Sequence, residues 1–325
     1  MKLQTNFEIE PSKVKIEINS KIVTIGSCFA DVVGGQLVEN KINAEVNPFG
    51  TLFNPSSIFK LLTQCISNTL PEQNNYIEDE GIWFHYEYHS KLNDSAKKNL
   101  QTKIINLQNE VSEKLLSADF LILTLGTSFV YQLIATKSYV ANCHKMPGNL
   151  FRKDLLHVKH ICQDFEHFYG KLKAFNPNIN IILTVSPVRH TKDGIPENQL
   201  SKSILRTACH YLCLDFADVN YFPSYEIMMD ELRDYRFYEE DLIHPNKIAE
   251  KYIFERFSQT YFTDKLIDII QKWQKIKSDL AHRPFHEKSE SHQIFLAHLL
   301  KKLEDISTIV NVEKEKEAVL SRIFV

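Results

Sequence analysis

Three apolar runs limit what this chain can fold into. Lys21-Ile-Val-Thr-Ile25 stops at Gly26-Ser27, the run 118–125 stops at Gly126-Thr127-Ser128, and the run 179–185 stops at Ser186-Pro187. Each is short, dominated by Val, Ile and Leu, and lacks the polar alternation of a strand with one wet face. Each therefore reads as a strand buried on both faces. A weaker run, 211–217, is read as a fourth. The segments between them carry apolar residues at helical spacing. Leu100, Ile104, Leu107, Val111 and Leu115 mark one helix, and Leu155, Val158, Ile161, Phe165, Phe168 and Leu172 mark another over 154–175. Ile204, Leu205 and Ala208 begin a third. Buried strands alternating with helices of this length imply parallel β-α units with right-handed crossovers. The expected class is α/β in three layers.

Two stretches break the alternation. Gly81-Ile-Trp-Phe-His-Tyr-Glu-Tyr-His89 alternates with a period of two, which predicts a hairpin or edge strand, and 129–147 looks extended. Insertions over about 70–92 and 129–150 would follow strand ends and could form a cap, with Trp83, Phe84, Tyr86 and Tyr88 in its core or lining it. Beyond Tyr261 the pattern changes to two amphipathic helices, 264–280 and 291–309, followed by the charged Glu313-Lys-Glu-Lys-Glu317. The expected division is a main domain over 1–262 and a helical extension over 263–325.

Composition removes several function classes. Thirty-eight basic and 41 acidic residues give a net charge of −3, which provides no basic footprint for nucleic acid or anionic lipid. Nine glycines are too few for a Gly-built phosphate loop to be expected. No apolar run is long enough to span a membrane, and the N-terminal segment lacks the apolar core of a signal peptide, so a cytoplasmic location is expected. The six cysteines show no zinc spacing and read as small buried hydrophobes in a reducing compartment. No metal or cofactor is expected.

Chemistry concentrates at two places. Ser27 lies between the first strand and a helix, at the carboxyl edge where α/β sheets bind ligands, and its N–H at a helix start could stabilise an oxyanion. The plainer reading is a helix cap, which Ser provides well. Far downstream, Asp241-Leu-Ile-His244 precedes Pro245 and an amphipathic helix. Pro245 at the first helical position would leave His244 on the loop. Asp241 can then turn back onto the imidazole, the base and orienter that a serine nucleophile needs. The plainer reading here is a solvated Asp and a His packed at the helix entrance.

Gly26-Ser27-Cys28-Phe29-Ala30 matches the motif that names the GSCFA family. Further segments resemble it in the same order: Asn47-Pro-Phe-Gly-Thr-Leu-Phe-Asn-Pro55, Leu125-Gly-Thr-Ser-Phe-Val-Tyr131, Asn142-Cys-His-Lys-Met-Pro147, Ser186-Pro-Val-Arg-His190, and Asp230-Glu-Leu-Arg-Asp-Tyr-Arg-Phe-Tyr238 with Asp241-Leu-Ile-His-Pro245. The resemblance covers roughly residues 1–260. The family is similar to SGNH (GDSL-like) hydrolases, which implies a flavodoxin-like parallel sheet and a Ser–Asp–His site. On that resemblance Ser27 is the nucleophile, Asp241 and His244 complete the triad, and Gly50 supplies the second oxyanion N–H. The usual Gly-x-Asn-Asp is replaced by Gly126-Thr127-Ser128-Phe129, so the Asn donor is missing and Thr127, with Ser128 as the alternative, would substitute. The Asp that usually stands before the nucleophile is also absent.

Secondary candidates complete the expectation. Arg189 suits an anionic substrate group or an ion pair with Asp230, Glu231 or Asp234, and His190 follows it at the same sheet edge. His144 is taken as a substrate contact in the cap, with a structural hydrogen bond as the alternative. Glu226 reads as a buried, paired carboxylate, and Cys28 is set aside as nucleophile because its position faces helix packing. The expected function is a serine esterase acting on a small-molecule or glycan O-acyl ester. An acyltransferase using the same site, and a non-catalytic binding protein on the same fold, are the alternatives.

Overall fold

The computed structural model describes residues 5–323. Along the chain, β1 (Lys21–Gly26) leads through α1 (Cys28–Glu39) to β2 (Asn43–Val46), and α2 (Pro55–Ile66) follows. A hairpin of β3 (Tyr76–Asp79) and β4 (Ile82–His85) precedes α3 (Lys97–Ser117) and β5 (Phe120–Leu125). A second insertion holds β6 (Phe129–Leu133), β7 (Tyr139–Val140) and β8 (Phe151–Leu155). The alternation resumes with α4 (Val158–Phe175), β9 (Asn180–Val185), α5 (Ile195–Asp215) and β10 (Val219–Phe222). A short α6 (Ser224–Glu226) runs into a π-helical turn (Ile227–Glu231). Helices α7 (Lys247–Tyr261), α8 (Asp264–Ala281), α9 (Glu290–Ile306) and α10 (Glu313–Leu320) finish the described chain.

The central sheet has the order β10-β9-β5-β1-β2, and every pairing in it is parallel. This is the flavodoxin-like doubly wound order, which reverses direction between β1 and β5 and opens a crevice outside their carboxyl ends. β5 explains why both faces are covered. Phe120 and Ile122 point to the layer of α1 and α7, whereas Leu121, Leu123 and Leu125 point to the layer of α2, α3, α4 and α5. The strand has no wet face, so an unbroken apolar run suits it better than alternation.

The expected fourth strand at 211–217 is instead the last turn of α5 and the bend after it; the edge strand β10 lies further on. Leu205, Ala208, Cys209 and Leu212 face inward at helical spacing while Tyr211 and Leu214 point outward. An apolar run at a helix end imitates a strand because its outward residues are also apolar. The start of α7 also differs from expectation. Asn246 caps it, accepting N–H bonds from Ile248 and Ala249, and Pro245 stands outside the helix.

The two insertions pack on one another. Glu80 and Gly81 turn the β3–β4 hairpin with φ of +48° and +79°, as a tight two-residue turn requires. Tyr86 joins Leu133, Val140 and Phe151 in a small apolar cluster, and the Tyr86 carbonyl accepts N–H bonds from Ala141 and Asn142. The C-terminal helices build their own core around Trp273, Leu296, Leu299 and Leu303. They dock on the end of α1, where the Trp273 indole donates to the Glu39 carbonyl at 2.8 Å and Lys277 pairs with the Glu39 carboxylate. No helix among the described residues is long and apolar enough to cross a membrane.

Candidate active site

The site starts from a glycine. Gly26 ends β1 with φ +143°, and a Cβ there would lie 2.1 Å from the Thr124 carbonyl oxygen. Only glycine lets β1 run this close to β5 and then turn into a helix. Ser27 follows in extended conformation and caps α1, its Oγ accepting from Phe29 N–H at 3.3 Å. It is fully buried, whereas Cys28 beside it is half-buried, with its thiol pushed up by burial first and by Asp31 second.

The loop after β2 crosses the strand ends. Asn47 accepts the Gly26 N–H on Oδ1 at 2.9 Å and donates from Nδ2 to Asp31 at 3.1 Å, which ties the loop to the Ser27 turn. Leu52 N–H bonds the Gly26 carbonyl, and the Phe53 carbonyl accepts from Gly126 and Thr127. Gly50 has φ +73° and lies directly under the cap, where an added Cβ would meet the His89 side chain at 2.8 Å. Neither Asn47 nor His89 was singled out in the sequence; Asn47 could have been, since a buried Asn opening a Pro-Phe-Gly turn has polar atoms to satisfy.

The expected oxyanion donors are engaged elsewhere. Ser27 N–H donates to the Thr124 carbonyl at 2.9 Å, extending the β1–β5 ladder by one bond, and Gly50 N–H closes a turn onto the Asn47 carbonyl at 2.7 Å. Thr127 Oγ1 lies 3.0 Å from Ser201 Oγ and accepts from Phe129 N–H. Ser128, also fully buried, donates its hydroxyl to the Ser201 carbonyl and its backbone N–H to Ser201 Oγ. Both residues fasten the end of β5 to α5 through Ser201.

The Asp241–His244 pair is local and well ordered. Leu242 takes φ +57°, so the Asp241 carboxylate can fold back and accept N–H from Ile243 at 2.8 Å and His244 at 3.0 Å on Oδ1. Its Oδ2 lies 2.7 Å from His244 Nδ1. The His244 N–H groups, backbone and then ring, with the Ile243 N–H, hold the Asp241 carboxyl down at about 2. A proton on Nδ1 leaves Nε2 as the free basic nitrogen. Both side chains are half-exposed, and no hydrogen bond links His244 to the buried Ser27. The loop that carries them sits on the end of β9, with Arg189 N–H on the Ile243 carbonyl and Arg189 Nη1 on the Leu242 carbonyl.

Arg189 and His190 occupy this edge as expected. The three carboxylates considered as partners for Arg189 are bonded to others: Asp230 to Arg233, Glu231 to Arg256 and Asp234 to Arg236. Arg189 instead lies over the Tyr235 and Tyr238 rings and lines a cavity of about 420 Å³ with Thr191, Tyr235, Asp241, Leu242 and Ile243. The His190 ring meets Phe53 edge-on at 5.4 Å, and its buried Nε2 has no partner. Burial first, then the nearby Lys202 charge, push it down to about 4.

His144 corrects another expectation. It is buried in the cap, with Nδ1 on Ser90 Oγ at 3.0 Å and Nε2 on the His85 carbonyl at 2.9 Å. Both ring nitrogens are used, so it holds the cap together and has none left for a substrate. Glu226 is paired, with Arg206 at 3.0 Å and the Tyr221 hydroxyl, but it is partly exposed and not buried as expected, because it lies near the surface beside the half-exposed Arg206.

One residue of the site was missed entirely. Lys202 of α5 is 1% exposed, and its Nζ donates to the Gly126 carbonyl at 2.7 Å and the Ser186 carbonyl at 2.8 Å, at the ends of β5 and β9. Burial pushes its pKa down to about 7. The signal was present, because Lys202 falls on the inward stripe with Ser201, Leu205 and Cys209, where a charge is out of place. Among the described residues no group of His, Cys, Asp or Glu side chains converges as a metal cage.

Comparison with solved structures finds loose likenesses. An acetyl esterase mutant with acetate ion aligns at TM-score 0.37 and 11% identity, over 78% of this chain and 98% of that one. A carbohydrate esterase family 3 protein from Talaromyces cellulolyticus aligns at TM-score 0.36 and 10% identity, over 78% and 98%. A putative platelet activating factor from Streptococcus pneumonia aligns at 0.39 and 12%, over 77% and 85%. No curated protein matches the chain. Family models are more decisive: that of the GSCFA family matches residues 21–257, and that of the GSCFA domain protein C-terminal domain matches 273–324. With most of its length matched, and with the Gly26-to-Ala30 motif at the turn where β1 becomes α1, the chain belongs to the GSCFA family.

Proposed function

We propose that the protein is a serine esterase acting on a small-molecule or glycan O-acyl ester, with Ser27 as nucleophile, His244 as general base and Asp241 as its orienter. The observation that carries this reading is the Asp241–His244 contact of 2.7 Å, which favours a proton on Nδ1 and leaves Nε2 free to act as the base. In the reaction Ser27 Oγ bonds to the ester carbonyl carbon as its proton passes to Nε2. The tetrahedral intermediate then expels the alcohol, which takes that proton, and water repeats the sequence on the acyl-serine. Ser27 and His244 must close on each other for this to happen, and such contacts commonly tighten only when substrate binds. The cavity beside Asp241 would take the acyl or alcohol portion, with Arg189 on its wall.

The occupied Ser27 and Gly50 N–H groups favour a second reading, a non-catalytic binding protein on the same fold. Labelling with a fluorophosphonate separates the two. The esterase reading expects covalent labelling of the wild-type chain and none in Ser27→Ala. That variant should keep its fold, since losing a cap costs about 1 kcal/mol. An unlabelled wild type, or equal labelling of Ser27→Ala, would rule the reading out.

A further inference from the structure

A lysine with no acid beside it has no evident reason to be in a protein core. Desolvating an ammonium is costly unless the site gives something back, and buried lysines are normally paired. Lys202 has no carboxylate partner. Two of its N–H groups are fixed on the Gly126 and Ser186 carbonyls, and the third has no acceptor among the described residues. Its charge acts on the Cys28 thiol of α1 and on the His190 ring in the loop after β9, and its Nζ lies 5.7 Å from the centre of the Tyr225 ring of α6. Cys28 immediately follows Ser27, and Gly126 immediately follows β5, whose Thr124 carbonyl holds the Ser27 N–H. The ammonium therefore sits at the same sheet edge as the nucleophile, where the backbone donors expected for an oxyanion are already spent.

We propose that Lys202 supplies the positive charge that stabilises the oxyanion formed when Ser27 attacks, taking the place of the missing Asn amide. This rests on the esterase reading above. As Ser27 Oγ forms its bond to the carbonyl carbon, the carbonyl π pair moves onto oxygen beside the third Lys202 N–H. When the intermediate collapses, that pair returns and the alkoxide leaves with the proton held by His244. A preorganised donor in a dry site acts without solvent reorganisation, and losing one typically lowers kcat by about 10²–10³-fold. Burial holds the amine down at about 7, so the group gains or loses its charge readily near neutrality.

The test uses phenylboronic acid and the intact chain carrying lysine labelled with carbon-13 at Cε. Ser27 Oγ adds to boron, its proton passes to His244, and boron becomes an anionic tetrahedral centre that mimics the intermediate. The adduct is seen by boron NMR and should be absent in Ser27→Ala. Lys202 is assigned by the signal lost in Lys202→Met, or in Lys202→Arg should the first fold poorly, and its titration is read on the wild-type chain. The expected result is an upward move of that titration by about one pH unit or more on adduct formation, because a new anion favours the charged form. A lysine that merely ties two strand ends would not respond to the adduct. An adduct with no change at Lys202 overturns this inference and leaves the esterase standing; no adduct at Ser27 overturns both.

Discussion

Replacing Gly26 by Ala perturbs the turn on which the whole site depends. The added Cβ would lie 2.1 Å from the Thr124 carbonyl oxygen, about 1 Å inside the closest approach real Cβ atoms make, and that atom is backbone in the sheet centre. Relief requires β1 to move from β5, which breaks the Ser27 N–H bond to Thr124 and leaves a buried donor and acceptor unmet. That loss costs about 1–3 kcal/mol. Holding a non-glycine residue at φ +143° adds a further 1–3 kcal/mol or so. The expected destabilisation is then about 2–6 kcal/mol, a large part of the 5–15 kcal/mol or so that keeps a typical domain folded. Urea unfolding followed by circular dichroism measures it, as a lower midpoint with an unchanged slope. A loss below about 1 kcal/mol would mean that the β1–β5 contact is not as rigid as described, and the glycine requirement would fail with it.

Asp241→Asn keeps the bonds from the Ile243 and His244 N–H groups but turns an NH₂ toward His244 Nδ1, so the proton belongs on Nε2 and the base is lost. With p-nitrophenyl acetate, kcat should fall on the order of 10³-fold at nearly unchanged KM, somewhat less than for a buried orienter, because this pair is half-exposed and can re-solvate; wild-type kcat would show that Asp241 does not orient the base. Stability should also fall on mild acidification through His85 and His190, both held neutral by burial at about 4 against 6.5 when unfolded. Their folded pKa values are lowered, so the unfolded chain binds more protons between those limits. Stability then drops as pH falls from 6.5 towards 4, by at most about 1.4 kcal/mol per pH unit for each ring. Urea titrations of the wild type and of His85→Asn with His190→Asn should show a flatter pH dependence in the variant, and parallel curves would mean that these rings do not titrate as described.

Local patterns carried much of this protein. The runs that became β1, β5 and β9 were legible because a strand buried on both faces needs uninterrupted Val, Ile and Leu. Helices α3, α4, α8 and α9 were legible because their inward residues recur every three or four positions. The Asp241–His244 contact was foreseen for the same reason, since both partners lie within one turn of chain and a single Asx fold brings them together. The apolar run 21–25 placed Ser27 at a strand end. What failed at this level was the run 211–217, where apolar residues on both sides of a helix end look like a strand.

Competition for hydrogen bonds between distant segments is not written in any local pattern. Whether the Ser27 N–H is free depends on the register of β1 against β5, which brings Thr124 opposite Gly26 and its carbonyl onto that N–H. Whether Thr127 can face a substrate depends on Ser201, and whether His144 can depends on Ser90 and the His85 carbonyl. The clearest case is Lys202. Its place on an inward helical stripe could be read from the sequence, but its position over the ends of β5 and β9 could not. Only the packing of α5 across the sheet carries the ammonium to those two carbonyls, because it is the strand order, and no spacing within the chain, that sets two backbone oxygens side by side.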